Sequence, residues 1–282
     1  MAKGNFEACA LITLGYEGGY SNDRRDPGNW TGGKVGIGVL KGTNMGIAAN
    51  TYPNLDIKNL KKADVLPLYK GRYWDGVRGD DLPFGVDLAV YDYGVNSGPS
   101  RGVKALQKAV GATVDGKMGN DTIVKAARAA SDGKRVIQAI CAGRMSFLRG
   151  LSTWATFKGG WSKRVANVEA KAVSMFLANT GKGKPAVASA LETEADKATA
   201  LSKKQTNAAH STVAGGATGG VVVDSMPSLW LIAVAVVAVV VVAGVLYVKA
   251  RNNKERAKAY EDEAAARWSD RSSERTARPA KE

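Results

Sequence analysis

Histidine is almost missing from this chain of 282 residues. The single one, His210, lies in a low-complexity stretch beside the run GGATGG and reads as a solvated linker residue. That excludes a Ser-His-Asp triad, a Cys-His pair and a multi-histidine zinc site. Cysteine is scarce too. Cys9 and Cys141 are far apart and have no partner base, so they form no disulfide framework and read as small buried hydrophobes. Glutamate is thin where it matters: before Glu169 there are only Glu7 and Glu17. Any hydrolysis must therefore run on carboxylates, without a metal or cofactor.

Acidic charge is also short. Lys and Arg number 40 against 26 Asp and Glu, a net charge of +14. An anionic partner follows, whether nucleic acid, anionic lipid or bacterial cell wall. No nucleic-acid-binding motif accompanies the charge, and that partner is set aside.

Residues 1–178 have globular composition. Residues 179–227 turn to Ala, Lys, Thr, Ser and Glu and read as a flexible tether, with a helix around Ala188 to Gln205 and a flexible end at GGATGG. Residues 228–248 contain LWLIAVAVVAVVVVAGVLYV, Leu229 to Val248, without a charge. At about 1.5 Å per residue this helix is about 30 Å long, the thickness of a bilayer core. Lys249, Arg251, Lys254, Arg256 and Lys258 follow it, whereas Asp224 is the one nearby charge before it. The positive-inside rule then makes residues 249–282 a cytoplasmic tail and puts the globular part in the periplasm, a single pass through the inner membrane. MAKGNFEACALITLGYEGG is too broken by charge and glycine to be a secretory signal, so this topology leaves export unexplained.

Apolar spacing within residues 1–178 is mostly helical. Helices are expected over Phe6 to Tyr16, Lys58 to Tyr69, Phe84 to Val95, Ser100 to Val110, Asn120 to Ala130, Lys134 to Leu151 and Ser162 to Ala178. The Gly-rich TGGKVGIGVLKGTNMG, Thr31 to Gly46, predicts a hairpin or irregular lobe. The fold class is thus mostly α, with a small hairpin or loop lobe after the first helix and a C-terminal transmembrane helix.

The stretch YEGGYSNDRRDPGNWT, Tyr16 to Thr31, is crowded with turn formers. Glu17 stands where a helix ends and this loop begins, a common lip for a cleft. Glycosidic cleavage uses a carboxylic acid near the leaving oxygen and usually a second carboxylate across the bond. Partial burial suits a glutamate to the acid role. A solvated helix-end residue is the plain alternative.

EGGYSNDRRDPGNWTGGKVGIG resembles the signature of glycoside hydrolase family 108, the muramidases of phages and prophages. A second block, Tyr69 to Ile123, is similar as well, and its latter part resembles the predicted peptidoglycan-binding domain that accompanies this hydrolase. Together they cover roughly residues 5 to 178, giving a catalytic region at 1–97 and a helical wall-binding region at 98–178 packed on it. The resemblance implies a lysozyme-like two-lobed fold and Glu17 as catalytic acid. The phage-type lysozymes, a separate family, carry a Glu, Asp and Thr in this order, which extends the site to Asp26 and Thr31. Asp26 reads equally as an Asx turn before Pro27, and Thr31 as a hairpin residue. DPGNWT and KVGIGVLKGTNMG depart from the commoner short form.

Sugar recognition needs flat apolar faces and polar donors. Tyr20, Trp30, Tyr73, Trp74, Asp92 and Asn96 are the candidates, with Tyr91 and Tyr93 beside them. Core packing is the competing reading for the aromatics. Asp115-Gly116 reads as a tight turn between helices. The resemblance implies an endolysin that cuts the MurNAc–GlcNAc bond for host lysis, with glycan strands, the bilayer and a holin as partners. A lytic transglycosylase and a noncatalytic wall-binding anchor are the alternatives.

Overall fold

The computed structural model describes the backbone of residues 1–218 and 229–276 and the side chains of 1–215 and 234–269. The end of the expected tether, residue 228 of the expected span and the tail beyond 276 lie outside the described residues. The chain forms two compact units, Met1–Ser146 and Phe147–Glu282.

The first unit is helical around one buried helix. α1 (Phe6–Leu14), α2 (Lys62–Tyr69), α3 (Val86–Ser97), α4 (Pro99–Val110), α5 (Asn120–Arg128) and α6 (Gly133–Arg149) follow in order. These agree closely with the helices that the apolar spacing predicts. α3 is buried at every position from Val86 to Gly94. Such a helix belongs at the centre, and α1 and α4 pack against it. α4 comes very close: a Cβ on Gly102 would lie 2.5 Å from the Val90 carbonyl oxygen, so only glycine allows this approach. Asn5 ties α1 to α3 by donating to the Asp87 carboxylate at 2.6 Å, and Cys9 is buried beside it.

Gln107 of α4 organises the turn before α5. Its amide donates to Asp115 Oδ1 at 2.8 Å and accepts from Gly116 N at 2.9 Å. Lys117 N also donates to Asp115 Oδ1, at 2.8 Å, so this aspartate serves the turn. The division between units falls after α5 and most of α6, well beyond residue 97, because α4 and α6 join the core built on α3.

The small lobe lies between α1 and α2. A two-residue hairpin, β1 (Thr43–Asn44) and β2 (Ile47–Ala48), turns at Met45-Gly46, both with positive φ. That is the mirror-image turn whose twist matches antiparallel strands. Asn29 is fully buried and holds the lobe together. Its amide donates to Asp23 O, its Oδ1 accepts from Thr43 Oγ1, and its carbonyl accepts from Lys41 N and Gly42 N.

The second unit is three long helices: α7 (Trp154–Asn179), α8 (Lys184–Thr218) and α9 (Leu229–Thr276). The helix expected around Ala188 to Gln205 is the middle of α8, which runs from Lys184 to Thr218 and buries Val187, Ala188, Leu191, Ala195 and Ala198. Small apolar residues at helical spacing supply a packing stripe that the polar composition hides. Within the expected tail, residues 249–276 continue α9, and Tyr260 and Ala264 are buried. Arg256 donates to Glu169 of α7 at 2.7 Å, and Tyr260 adds its hydroxyl at 2.9 Å. The apolar stretch of α9 is long enough to cross a membrane, and its mean hydropathy is 2.2 over the best window. Val234, Val237, Val240 and Val241 are each more than half exposed, as a lipid-facing surface requires.

Candidate active site

α1 stops at Gly15, and two further turns carry the chain to Glu17, whose N–H donates to Leu14 O at 3.1 Å. Glu17 is half-buried. The hairpin tip is clamped over it from three sides. Met45 N donates to Gly18 O at 3.1 Å, and the Tyr69 hydroxyl donates to Met45 O at 3.0 Å. Gly46 fills the remaining space. A Cβ there would lie 2.3 Å from the Tyr69 hydroxyl and 3.2 Å from Glu17 Oε2. Gly46 thus meets two demands at once, a positive φ and a side chain of no size.

A concave surface adjoins this clamp, lined by Gly46, Tyr52, Tyr69, Arg72 and Tyr73 among others. Its far wall exists because α2 does not end normally. It widens at Lys70–Trp74 into a π-turn, in which Asp75 N bonds to Lys70 O. Such turns re-aim side chains and often mark functional sites. Tyr73 lies tilted at 55° against Tyr69 with ring centroids 5.3 Å apart, and Arg72 lies 5.6 Å from the Tyr73 ring. Burial raises the Tyr73 hydroxyl above its ordinary range; Arg72 opposes this, while Tyr52 and the Glu17 carboxylate add to it. Hydrogen bonding to Tyr52 holds the Arg72 guanidinium firmly charged. The surface therefore offers an aromatic face and a cation, with the Glu17 carboxylate beside Gly46 at its edge, a set suited to a polar sugar.

The remaining expected residues divide sharply. Asp26 is exposed and caps the short turn Pro27–Asn29, accepting from Gly28 N at 2.8 Å. Thr31 Oγ1 accepts from Val39 N at 2.9 Å and closes the 31–39 loop. Trp30 donates its indole N–H to Arg24 O, and Tyr20 is 39% exposed on the loop. Asn96 is exposed at the end of α3 and accepts from the Ser97 hydroxyl. Trp74 and Asp92 must be corrected. Both are wholly buried: Trp74 meets Phe6 and Tyr91 edge-on, and Asp92 pairs with Arg144 at 2.6 Å. Neither reaches a ligand from solvent. Tyr91 and Tyr93 are core residues too.

Sequence reasoning missed Gly46, Tyr52, Tyr69 and Arg72. The one available signal was N-M-G inside an apolar pair, a hairpin turn with a mechanism. Nothing local marks Tyr52, which comes in from a separate loop. Among the described residues, no group of three or more His, Cys, Asp or Glu is placed to hold a metal ion.

Residues 10–98 match the model of the family described as glycosyl hydrolase 108, and residues 101–166 match that of a predicted peptidoglycan domain. Among solved structures, SagA of Brucella abortus is 36% identical. The alignment covers 61% of this chain and 96% of that one, with a TM-score of 0.51. No curated protein matches.

Proposed function

Because this chain belongs to the glycosyl hydrolase 108 family and acts on peptidoglycan, we propose that it is a muramidase whose general acid is Glu17. The observation that carries this reading is the half-buried Glu17 carboxylate, close against Gly46 at the edge of a concave aromatic surface. Protonated Glu17 gives its proton to the oxygen joining N-acetylmuramic acid to N-acetylglucosamine. The bond to the leaving sugar breaks as positive charge spreads over the ring. Asp26, with Thr31, orients the incoming water or stabilises that charge. Tyr73 and Arg72 form the sugar-binding wall, with Tyr20, Trp30 and Asn96 as further exposed or half-exposed candidates for sugar contact.

Glu17→Gln tests the assignment. Lysis of purified cell wall should vanish while the circular dichroism spectrum and melting temperature hold. Activity above a few per cent removes Glu17 from the acid role.

The cap made by Asp26 favours a second reading. A carboxylate occupied with a turn is a poor water activator, and a lytic transglycosylase needs only the one glutamate. Mass spectra of the digest separate the two, since anhydro ends mean internal attack and reducing ends mean hydrolysis.

The lysis reading places the protein at the inner membrane of a Gram-negative host. α9 is its lipid-embedded segment, and a holin is the partner that breaches the membrane. The expected topology, with enzyme and tail on opposite sides, does not sit with Arg256 bonded to Glu169.

A further inference from the structure

We propose that Arg72 is an anion subsite of the concave surface, taking a carboxylate carried on the lactyl arm of the muramic sugar. The subsite rests on the muramidase reading for its substrate and holds whether or not Glu17 is the acid.

Charge is unevenly answered around the end of α2. Lys70, Arg72 and Arg78 are three cations within nine residues, along the π-turn and the short turns that follow it. Lys70 pairs with Asp75 at 2.6 Å, and Arg78 pairs with Asp81 at 2.7 Å. These are exposed pairs of modest strength, but each gives its cation a local counter-charge. Arg72 stands between them and has no carboxylate partner among the described residues. Hydrogen bonding to Tyr52 is the largest influence on its guanidinium, with smaller ones from Tyr73 and Tyr69. The side chain is thus held in place by neutral groups while its charge goes unanswered. A cation already positioned needs little ordering when an anion arrives, which favours binding.

Its place in the fold points to a ligand. Arg72 lines the same concave surface as Tyr52, Tyr69, Tyr73 and Gly46, and Gly46 adjoins Glu17. The guanidinium lies 5.6 Å from the Tyr73 ring centroid, within cation–π range, so the two side chains make one wall. Burial raises the Tyr73 hydroxyl, which therefore stays protonated near neutral pH, and it makes no hydrogen bond among the described residues. The Tyr69 hydroxyl, by contrast, is engaged by Met45 O at 3.0 Å. An arginine fork beside an unengaged phenol O–H is a donor set suited to a carboxylate.

The two sugars of peptidoglycan differ in this respect. N-acetylglucosamine is neutral. N-acetylmuramic acid carries a lactyl ether, whose carboxyl is free on peptide-free strands. On peptide-bearing strands that carboxyl is an amide, and the stem peptide supplies carboxylates on the same arm. Stacking on Tyr73 treats the two similar rings alike, whereas a cation distinguishes them. Reading the lactyl arm fixes which sugar lies beside Glu17, and hence which of the two alternating glycosidic bonds is presented to it. The competing role for Arg72 is packing, its stem covering the Tyr73 ring. Packing alone would serve neutral and acidic glycans equally, and this difference is measurable.

Binding to the full chain, in a Glu17→Gln background that keeps ligands intact, tests the subsite by titration calorimetry. The ligands are chitotetraose, a peptide-free tetrasaccharide of alternating N-acetylglucosamine and N-acetylmuramic acid, and the same tetrasaccharide carrying stem peptides. Adding Arg72→Gln should weaken the acidic ligands on the order of ten- to a hundredfold more than chitotetraose. A selective loss that includes the peptide-free ligand assigns the lactyl carboxylate. A selective loss confined to the peptide-bearing ligand assigns the stem peptide. Equal loss for all three ligands, or no loss, overturns the proposal. Arg72 is exposed, so the variant should keep its melting temperature. If it does not, Arg72→Lys makes the same comparison, keeping the charge and losing the fork. A smaller selective loss is then expected, and an equal one again overturns the subsite. Ligand cleavage in the Glu17→Gln background counts against Glu17 as the acid, while the ratio of affinities bears on Arg72 alone.

Discussion

Asp92 of α3 and Arg144 of α6 form an ion pair at 2.6 Å, 0% and 2% exposed, that joins the residues matching the hydrolase model to those matching the peptidoglycan domain. Arg144 also lies over the Tyr93 ring at 5.5 Å. Both charges are far from water, so removing one leaves the other uncompensated. Asp92→Asn should destabilise by about 3–5 kcal/mol. Chemical denaturation measures this. The kcat and KM of the folded fraction should be unchanged, whereas a selective rise in KM would return Asp92 to the sugar site.

Gly46 is the second test. In Gly46→Ala the new methyl meets the Tyr69 hydroxyl and crowds Glu17 Oε2, at a positive φ that alanine resists. With Glu17 as the proposed general acid, its displacement should lower kcat on the order of a hundredfold. A turbidity assay on purified wall reads the loss, and unchanged kcat would separate the hairpin tip from the chemistry.

Two substitutions at Asp26 separate its turn from its chemistry. Asn keeps a capping oxygen for Gly28 N and Ala does not. Asp26→Ala should cost about 1 kcal/mol of stability, and Asp26→Asn much less. If the carboxylate also acts on substrate, both variants lose activity alike. Loss confined to Ala makes Asp26 a turn residue only.

Asp87 makes stability depend on pH. Burial pushes its carboxyl up to about 6, against the hydrogen bonds from Asn5 and Leu88 N. A raised carboxyl means that the folded state holds its proton longer than the unfolded one. Stability is therefore fully retained below about pH 4 and declines as pH rises through about 6, by on the order of 3 kcal/mol. Melting temperatures of wild type and Asp87→Asn at pH 5 and pH 7.5 check this. The wild type should fall relative to the variant at the higher pH.

Much of the fold was open to local reading. Apolar residues at helical spacing located α1 to α6 within a few residues, since that periodicity survives whatever the helix packs against, while α7 starts at Trp154, eight residues before the expected Ser162. Asp-Pro-Gly-Asn announced a turn, and Asp26 makes it. The full length of α8 was not legible for a related reason. Its alanines read as weakly polar composition until Ala188, Leu191, Ala195 and Ala198 are seen to face a neighbour. Tyr73 and Trp74 are adjacent and equally plausible against sugar. Only the π-turn at the end of α2 and the cluster with Phe6 and Tyr91 send one to the surface and the other to the core.

By itself the amino-acid order determined the helices, the loop that carries Glu17 and the apolar segment of α9, because each depends on neighbours a few residues away. Tertiary structure alone decided that Asp92 is a buried brace, that Gly46 sits between Tyr69 and Glu17, and that the stretch from Asn252 to Arg267 lies along α7. Those outcomes depend on groups 24 to 93 positions apart in the chain, and burial and pairing over such distances leave no local periodicity to read.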